Sequence, residues 1–192
     1  LDPPEAAAAG AGGEAEEAEA NAENVHNVQK EMANAIWAMA QHNPENQVAI
    51  AQAGGIPSLI KLLDGSRPEL HREVAGALWH LAGNPGNADN QMAIANAGGV
   101  APLVALLKPG VALGAQETAA GALYALAEAS DNRVSIADAG GIPLLVALLH
   151  AGSDECKEQA AGALQRLVLE NQANQLAIAN GLVAMLAKGS KG

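Results

Sequence analysis

Cysteine, threonine and aromatic side chains are nearly absent from this chain. Cys156 is the one cysteine, so neither a disulfide framework nor a thiolate zinc site can be built. Phenylalanine is missing, and Trp37, Trp79 and Tyr124 are the whole aromatic set; Thr118 is the only threonine. A β-sandwich wants more β-branched and aromatic residues than this. Lysine and arginine number 10 against 21 acids, a net charge of −11. Binding to nucleic acid or an anionic membrane surface needs the opposite, clustered bases. Uninterrupted apolar runs stop at six residues, as at 144–149, far short of a membrane-spanning helix.

What the chain has instead is alanine, 45 of its 192 residues, and 21 glycines. This length suits one domain with a sizeable core. That core must be built from Ala, Leu, Ile and Val, and small side chains let stacked helices approach closely. The charge is uneven: residues 1–31 hold eight acids against Lys30 alone. Residues 1–24 therefore read as an acidic Ala/Glu/Gly-rich extension, flexible unless a partner holds it. Leu1 in place of an initiator methionine fits a fragment start or a processed terminus.

Self-similarity organises the rest. The segment Asn46-Gln-Val-Ala-Ile-Ala-Gln-Ala-Gly-Gly-Ile-Pro57 returns at 90–100 and 132–143, and in shortened form at 174–181. Equivalent isoleucines, Ile50, Ile94, Ile136 and Ile178, are spaced by 44, 42 and 42. A second element recurs in step: Ala33-Asn-Ala-Ile-Trp, Ala75-Gly-Ala-Leu-Trp, Ala120-Gly-Ala-Leu-Tyr and Ala161-Gly-Ala-Leu-Gln. A period in the low forties predicts a helical solenoid of two or three helices per repeat. Asn46, Asn90, Asn132 and Asn174 stand where N-caps are expected. The Gly-Gly pairs should end the first helix, and Pro57 and Pro143 should open the second. The boundaries are a partial repeat at 25–45, full repeats at 46–89, 90–131 and 132–173, and a partial repeat at 174–192. In the last of these the second helix should be short, Leu182 to Ala187.

These residues resemble the armadillo repeat, through the Ala-Gly-Gly-Ile-Pro turn, the Leu62-Leu63 pair and the Ala-Gly-Ala-Leu-Trp third helix. The resemblance covers roughly residues 25–192. It implies an all-α fold, a right-handed α-α superhelix with three full repeats and a partial repeat at each end. It also implies a concave face lined by the third helices. In the family's best-known binding mode an asparagine on each third helix holds an extended peptide's backbone. Importin-α-like members add a tryptophan one turn earlier for basic side chains. Here the asparagine positions hold Ala38, His80, Ala125 and Arg166, and the tryptophan positions hold Asn34, Gly76, Gly121 and Gly162. Importin-type recognition of nuclear localisation signals is therefore not expected.

One other ladder stands on that face. Trp37, Trp79, Tyr124 and Gln165 each precede the asparagine position by one residue. These rings could anchor a partner or fill the ridge between repeats. His80 and Arg166 could donate to a peptide carbonyl or carboxylate, or simply form a solvated helix face. Asn34, one turn before Ala38, completes the candidate protein-binding groove.

No catalytic, cofactor or metal site is expected. The five histidines show no metal-ligand spacing, and neither a phosphate-binding glycine loop nor a nucleophile elbow occurs. The expected function is a non-catalytic protein-protein interaction scaffold or adaptor. Its alternative is a stoichiometric linker subunit of a large assembly, in an organelle for instance, that uses its flanks and N-terminal arm. Partners are proteins, as an extended peptide segment or larger subunits, with no nucleic acid and no membrane insertion. The family default for compartment is cytoplasm or nucleus; the missing methionine leaves room for a cleaved organelle-targeting presequence.

Overall fold

A computed structural model of the chain describes residues 6–64, 66–83 and 87–189, with side chains at 20–187 within them. The Pro3-Pro4 start of the acidic extension and the tail at 190–192 lie outside the described residues. Among those described there is no strand. The helices follow the repeat: first helices α2 (Pro44–Gln52), α5 (Ala88–Asn96) and α8 (Ser130–Asp138) lead to second helices α3 (Gly55–Lys61), α6 (Val100–Ala105) and α9 (Gly141–Ala151). Third helices are α4 (His71–Ala82), α7 (Leu113–Leu126) and α10 (Asp154–Leu167). Ahead of them stands α1 (Ala6–Ala40), and α11 (Gln172–Gly189) closes the chain.

The two glycines of each Gly-Gly turn do different work. Gly54, Gly98 and Gly140 have φ of +78°, +80° and +78°, the left-handed conformation that ends a helix. Their neighbours are needed for space: a Cβ on Gly55 or Gly99 would lie 2.9 Å from the carbonyl oxygen of Ile50 or Ile94. The chain then bends sharply, by 80° between α8 and α9. The bend folds the second helix back so that its Leu, Ile and Val face the third helix. Leu59, Leu103 and Leu145 are consequently buried. Alanines at 75, 77, 120, 122, 160 and 163 are all at most 1% exposed. Their small volume is what brings α4, α7 and α10 together.

The repeated asparagines prove not to be N-caps. The caps fall three residues earlier, at Asn43, Asn87 and Ala129, and Asn171 Oδ1 accepts from the Asn174 amide. Asn90, Asn132 and Asn174 instead lie inside the first turn, 3–4% exposed. Each Nδ2 donates twice: to the end of the preceding third helix (Leu81, Leu126, Leu167 carbonyls) and to the previous first helix (Gln47, Gln91, Arg133 carbonyls). The following residue donates to the next carbonyl along. Gln47 reaches Ala40, Gln91 reaches Ala82, Arg133 reaches Ala127 and Gln175 reaches Val168. A helix leaves its last carbonyls unpaired, and in a stack these ends are buried. The Asn-Gln or Asn-Arg pair caps them from the next repeat.

The two ends depart from the sequence expectation. α1 is one helix of 35 residues, continuing N-terminally from the expected third helix through the acidic stretch to Ala6. At the other end Asn180-Gly181 replaces the Gly-Gly-Ile-Pro turn, and Gly181 has no positive φ. With nothing to stop the first helix, the two short helices expected there fuse into the single α11.

Candidate functional site

The aromatic ladder packs in a regular way. Each ring lies on the glycine of the next third helix: a Cβ at Gly76 would sit 2.6–2.8 Å from three atoms of Trp37, and one at Gly121 2.5–2.7 Å from Trp79. At Gly162 the distance to Tyr124 opens to 3.1 Å. All three rings remain half-buried, each packed against a glycine of the next third helix. The ladder thus joins repeats and also presents ring surface.

His80 stands between the two tryptophans. Its ring centroid is 6.1 Å from Trp37 and 5.4 Å from Trp79, both stacked, with His42 6.3 Å away edge-on. Burial lowers the His80 pKa, and the nearby His42 lowers it further. His71, 6% exposed with its Nε2 unpaired, is also lowered, chiefly by burial, against the opposing pull of Glu69 and Asp64. The unfolded chain therefore takes up these protons first, so stability is full above about pH 6.5, the ordinary histidine value. It is lost as the pH falls from there through the lower folded-state values. The melting temperature should drop between pH 7 and 5. His80→Gln should flatten part of that slope in thermal melts across a pH series.

Arg166 is held by Tyr124. Its Cζ lies 3.9 Å from the ring centroid, within cation-π range. Its guanidinium donates to the Tyr124 carbonyl and hydroxyl, both at 3.1 Å, and meets Glu128 Oε2 at 3.3 Å. Arg166 therefore braces α7 against α10. Asn34 is exposed, as is Ala38, while Ala125 is buried.

Two depressions open between third helices in one register. The first, about 280 Å³, is lined by Asn34, Trp37, Ala38, Gln41, Arg72 and Glu73. The second, about 350 Å³, is lined by Tyr124, Glu158, Gln159, Ala161, Gly162 and Gln165. Arg72 sits over the Trp37 ring, 5.6 Å from its centroid. Glu73 faces Lys30 at 4.0 Å through one oxygen, while its buried Oε2 has no partner. The structure thus brings Asn34 and Trp37 into one depression and Tyr124 into the other, with Trp79 and His80 between.

Sequence reasoning missed Gln41, Arg72, Glu73, Glu158 and Gln159. A signal was present: four residues before Asn34, Gly76, Gly121 and Gly162 stand Lys30, Arg72, Glu117 and Glu158. Basic charge lines the first half of the groove at that register and acidic charge the second. Among the described residues no cluster of His, Cys, Asp or Glu could hold a metal. Cys156 is fully buried, with Sγ 3.6 Å from the Leu113 carbonyl.

No curated protein matches the chain. Its fold is similar to that of an engineered protein from the Northeast Structural Genomics Consortium, at 34% identity and TM-score 0.75, covering 81% of this chain and 62% of that one. A second engineered protein from the same consortium is 36% identical at TM-score 0.74, over 80% of this chain and 37% of that one. A designed armadillo repeat protein in complex with the peptide (KR)4 is 23% identical at TM-score 0.70, over 78% and 62%. The chain thus spans less than two thirds of the length of each. The family model for the armadillo/beta-catenin-like repeat matches residues 43–83, 87–127 and 129–169. Each match begins on an N-cap residue and runs to the end of a third helix. The chain belongs to the armadillo repeat family, an all-α solenoid of protein-binding scaffolds.

Proposed function

We propose that the chain is a non-catalytic interaction scaffold whose concave face takes an extended peptide across α1, α4, α7 and α10. The observation that carries this reading is the pair of depressions in one register, each with a ladder aromatic in its lining. Half-buried rings offer flat apolar contact of the kind that anchors partners. Asn34, Gln41 and Arg72, all exposed in the first depression, offer a peptide its backbone or side-chain partners at one end. Glu158, Gln159 and Gln165 do so at the other.

The order of charge narrows the ligand. Lys30 and Arg72 favour an acidic residue over the first half, and Glu117 and Glu158 a basic one over the second. A ligand made only of bases would meet like charge at Arg72. This fits the absence of the asparagine and tryptophan arrays that serve basic signals.

Peptides selected against the whole protein by display, then titrated against variants, test the reading. Arg72→Glu and Glu158→Lys should each weaken a selected peptide about tenfold or more, since a rim charge reversed against its partner costs on the order of 1–2 kcal/mol. The double reversal should prefer peptides of reversed charge order. Selected peptides indifferent to both changes would sink it.

A second reading is a stoichiometric linker subunit that binds through its flanks. It draws on the apolar side chains exposed at both ends of the stack, Val28 and Leu186 among them. It is distinguished by partners whose binding follows those residues rather than Arg72 and Glu158.

A further inference from the structure

Two histidines meet at the centre of the groove. His42, in the left-handed conformation with φ of +54°, stands in the turn between α1 and α2. Its ring lies 6.3 Å from that of His80, edge-on, and His80 stacks between Trp37 and Trp79. His42 is exposed and His80 half-buried. Trp37, on which His80 stacks, lines the first depression, and so does Gln41, the residue before His42. The pair therefore borders the half of the groove where Arg72 favours an acidic residue.

Register shows what this step lacks. His80 on α4 corresponds to Arg166 on α10, the other polar residue at the groove centre. There the chain supplies a carboxylate of its own, Glu128 Oε2 at 3.3 Å from Arg166. The residue in register with Glu128 at the end of α1 is Gln41, which carries no charge. A cation formed on His80 thus faces a neutral amide where Arg166 faces an acid.

The remaining charges around the pair are remote or engaged. Arg72 and Glu73 stand about two turns earlier on α4, Arg72 over the Trp37 ring and Glu73 facing Lys30 of α1. α7 brings Glu117 and, just past its end, Glu128, whose Oε2 accepts from Arg166 and Gln91. α2 and α5 bring Glu45 and Asp89, both exposed, and α3 and the turn before α4 bring the exposed Lys61 and Glu69. None of these moves the His80 proton. Burial does so most, and His42 adds to it, both keeping the ring neutral.

Two positive charges about 6 Å apart in a half-buried place repel, so the free pair resists protonation. A carboxylate set beside both rings reverses the balance, since it attracts each charge and accepts their N–H groups. We infer that His42 and His80 form a seat for an aspartate or glutamate of the bound segment, and that this seat takes up protons as it fills. The inference rests on the groove reading above and couples it to pH. His80 then holds its proton more tightly in the complex than alone. Affinity therefore rises as the pH falls through the histidine range, about 6.5 and below, while the ligand's carboxylate stays ionised. One histidine whose proton affinity rises tenfold gives up to about tenfold in peptide affinity.

Calorimetric titration of the whole protein tests this, with display-selected peptides that contain aspartate or glutamate and no histidine. It is run at about pH 7.5, 6.5 and 5.5 in buffers of different ionisation enthalpy, with circular dichroism checking the fold at each pH. The expected result is binding about five- to tenfold tighter at the lowest pH, with protons taken up from the buffer. His80→Gln and His42→Gln should each reduce that gain, and so should a peptide whose acid is replaced by its amide. His80→Arg should bind tightly at every pH and lose the slope; the fold already holds an arginine at this register, Arg166. A flat profile without proton uptake in the unaltered protein would overturn the inference. So would a slope that survives in the double variant His42→Gln/His80→Gln. Peptides that still respond to Arg72→Glu and Glu158→Lys would then leave the groove reading standing, and indifference to those two changes would remove it as well.

Discussion

Asn132→Asp is expected to lower the unfolding free energy by roughly 3–4 kcal/mol, from loss of two buried hydrogen bonds and a carboxylate facing two carbonyls. The Asn132 amide spends both hydrogens at once, on Leu126 at 3.0 Å and Gln91 at 3.4 Å. Ionised aspartate has no hydrogen to give. Asn132→Ala leaves the same carbonyls bare without the charge, so it should cost less. The decisive comparison is Asn46→Asp. Asn46 is half-buried, and its side chain donates one hydrogen bond, to the Met39 carbonyl at 2.9 Å. That change should cost about 1 kcal/mol, since a single bond with access to water is lost. Chemical denaturation of the three variants checks the order. In a stack held by nearest-neighbour contacts, the Asn132 variants should also separate the unfolding of the two sides into distinct transitions.

Gly121→Ala is the second large effect. Alanine ordinarily favours a helix over glycine by about 1 kcal/mol, so a loss here has to come from contact. Its Cβ would stand 2.5 Å from the fused ring carbons of Trp79, and overpacking of that kind costs roughly 1–3 kcal/mol. The net expectation is a destabilised protein with the Trp79 ring pushed toward solvent, visible as a red-shifted emission. Gly162→Ala meets Tyr124 only at 3.1 Å and should be neutral or slightly stabilising. Trp79→Ala destabilises by itself, and in that background Gly121→Ala should turn stabilising. A double-mutant cycle measures that reversal as a coupling energy. Two additive effects would show that ring and glycine are not a unit.

The sequence carried the architecture because punctuation repeats in it. Gly54, Gly98 and Gly140 could be read as helix ends, since few residues other than glycine take a positive φ there. The aromatic ladder was legible as a ladder, but its seat was not. That Gly76 and Gly121 are glycine for the sake of Trp37 and Trp79 depends on contact between repeats about forty residues apart. The asparagines misled for a related reason. A capping residue and an inter-repeat donor look alike in one dimension, and only burial against the preceding helix end separates them. α11 was misread because a missing Gly-Pro turn shortens nothing; the helix simply runs on. In the groove, the aromatic positions were visible from spacing, whereas Arg72 and Glu73 emerge only when α1 lies beside α4.

The central claim is that the third helices form the binding face. Hydrogen exchange of the whole protein, with and without a display-selected peptide, tests it most directly. The account predicts protection of the C-terminal part of α1 and of α4, α7 and α10 on binding, with α3, α6 and α9 unchanged. Protection confined to the second helices, or to α11, would contradict it.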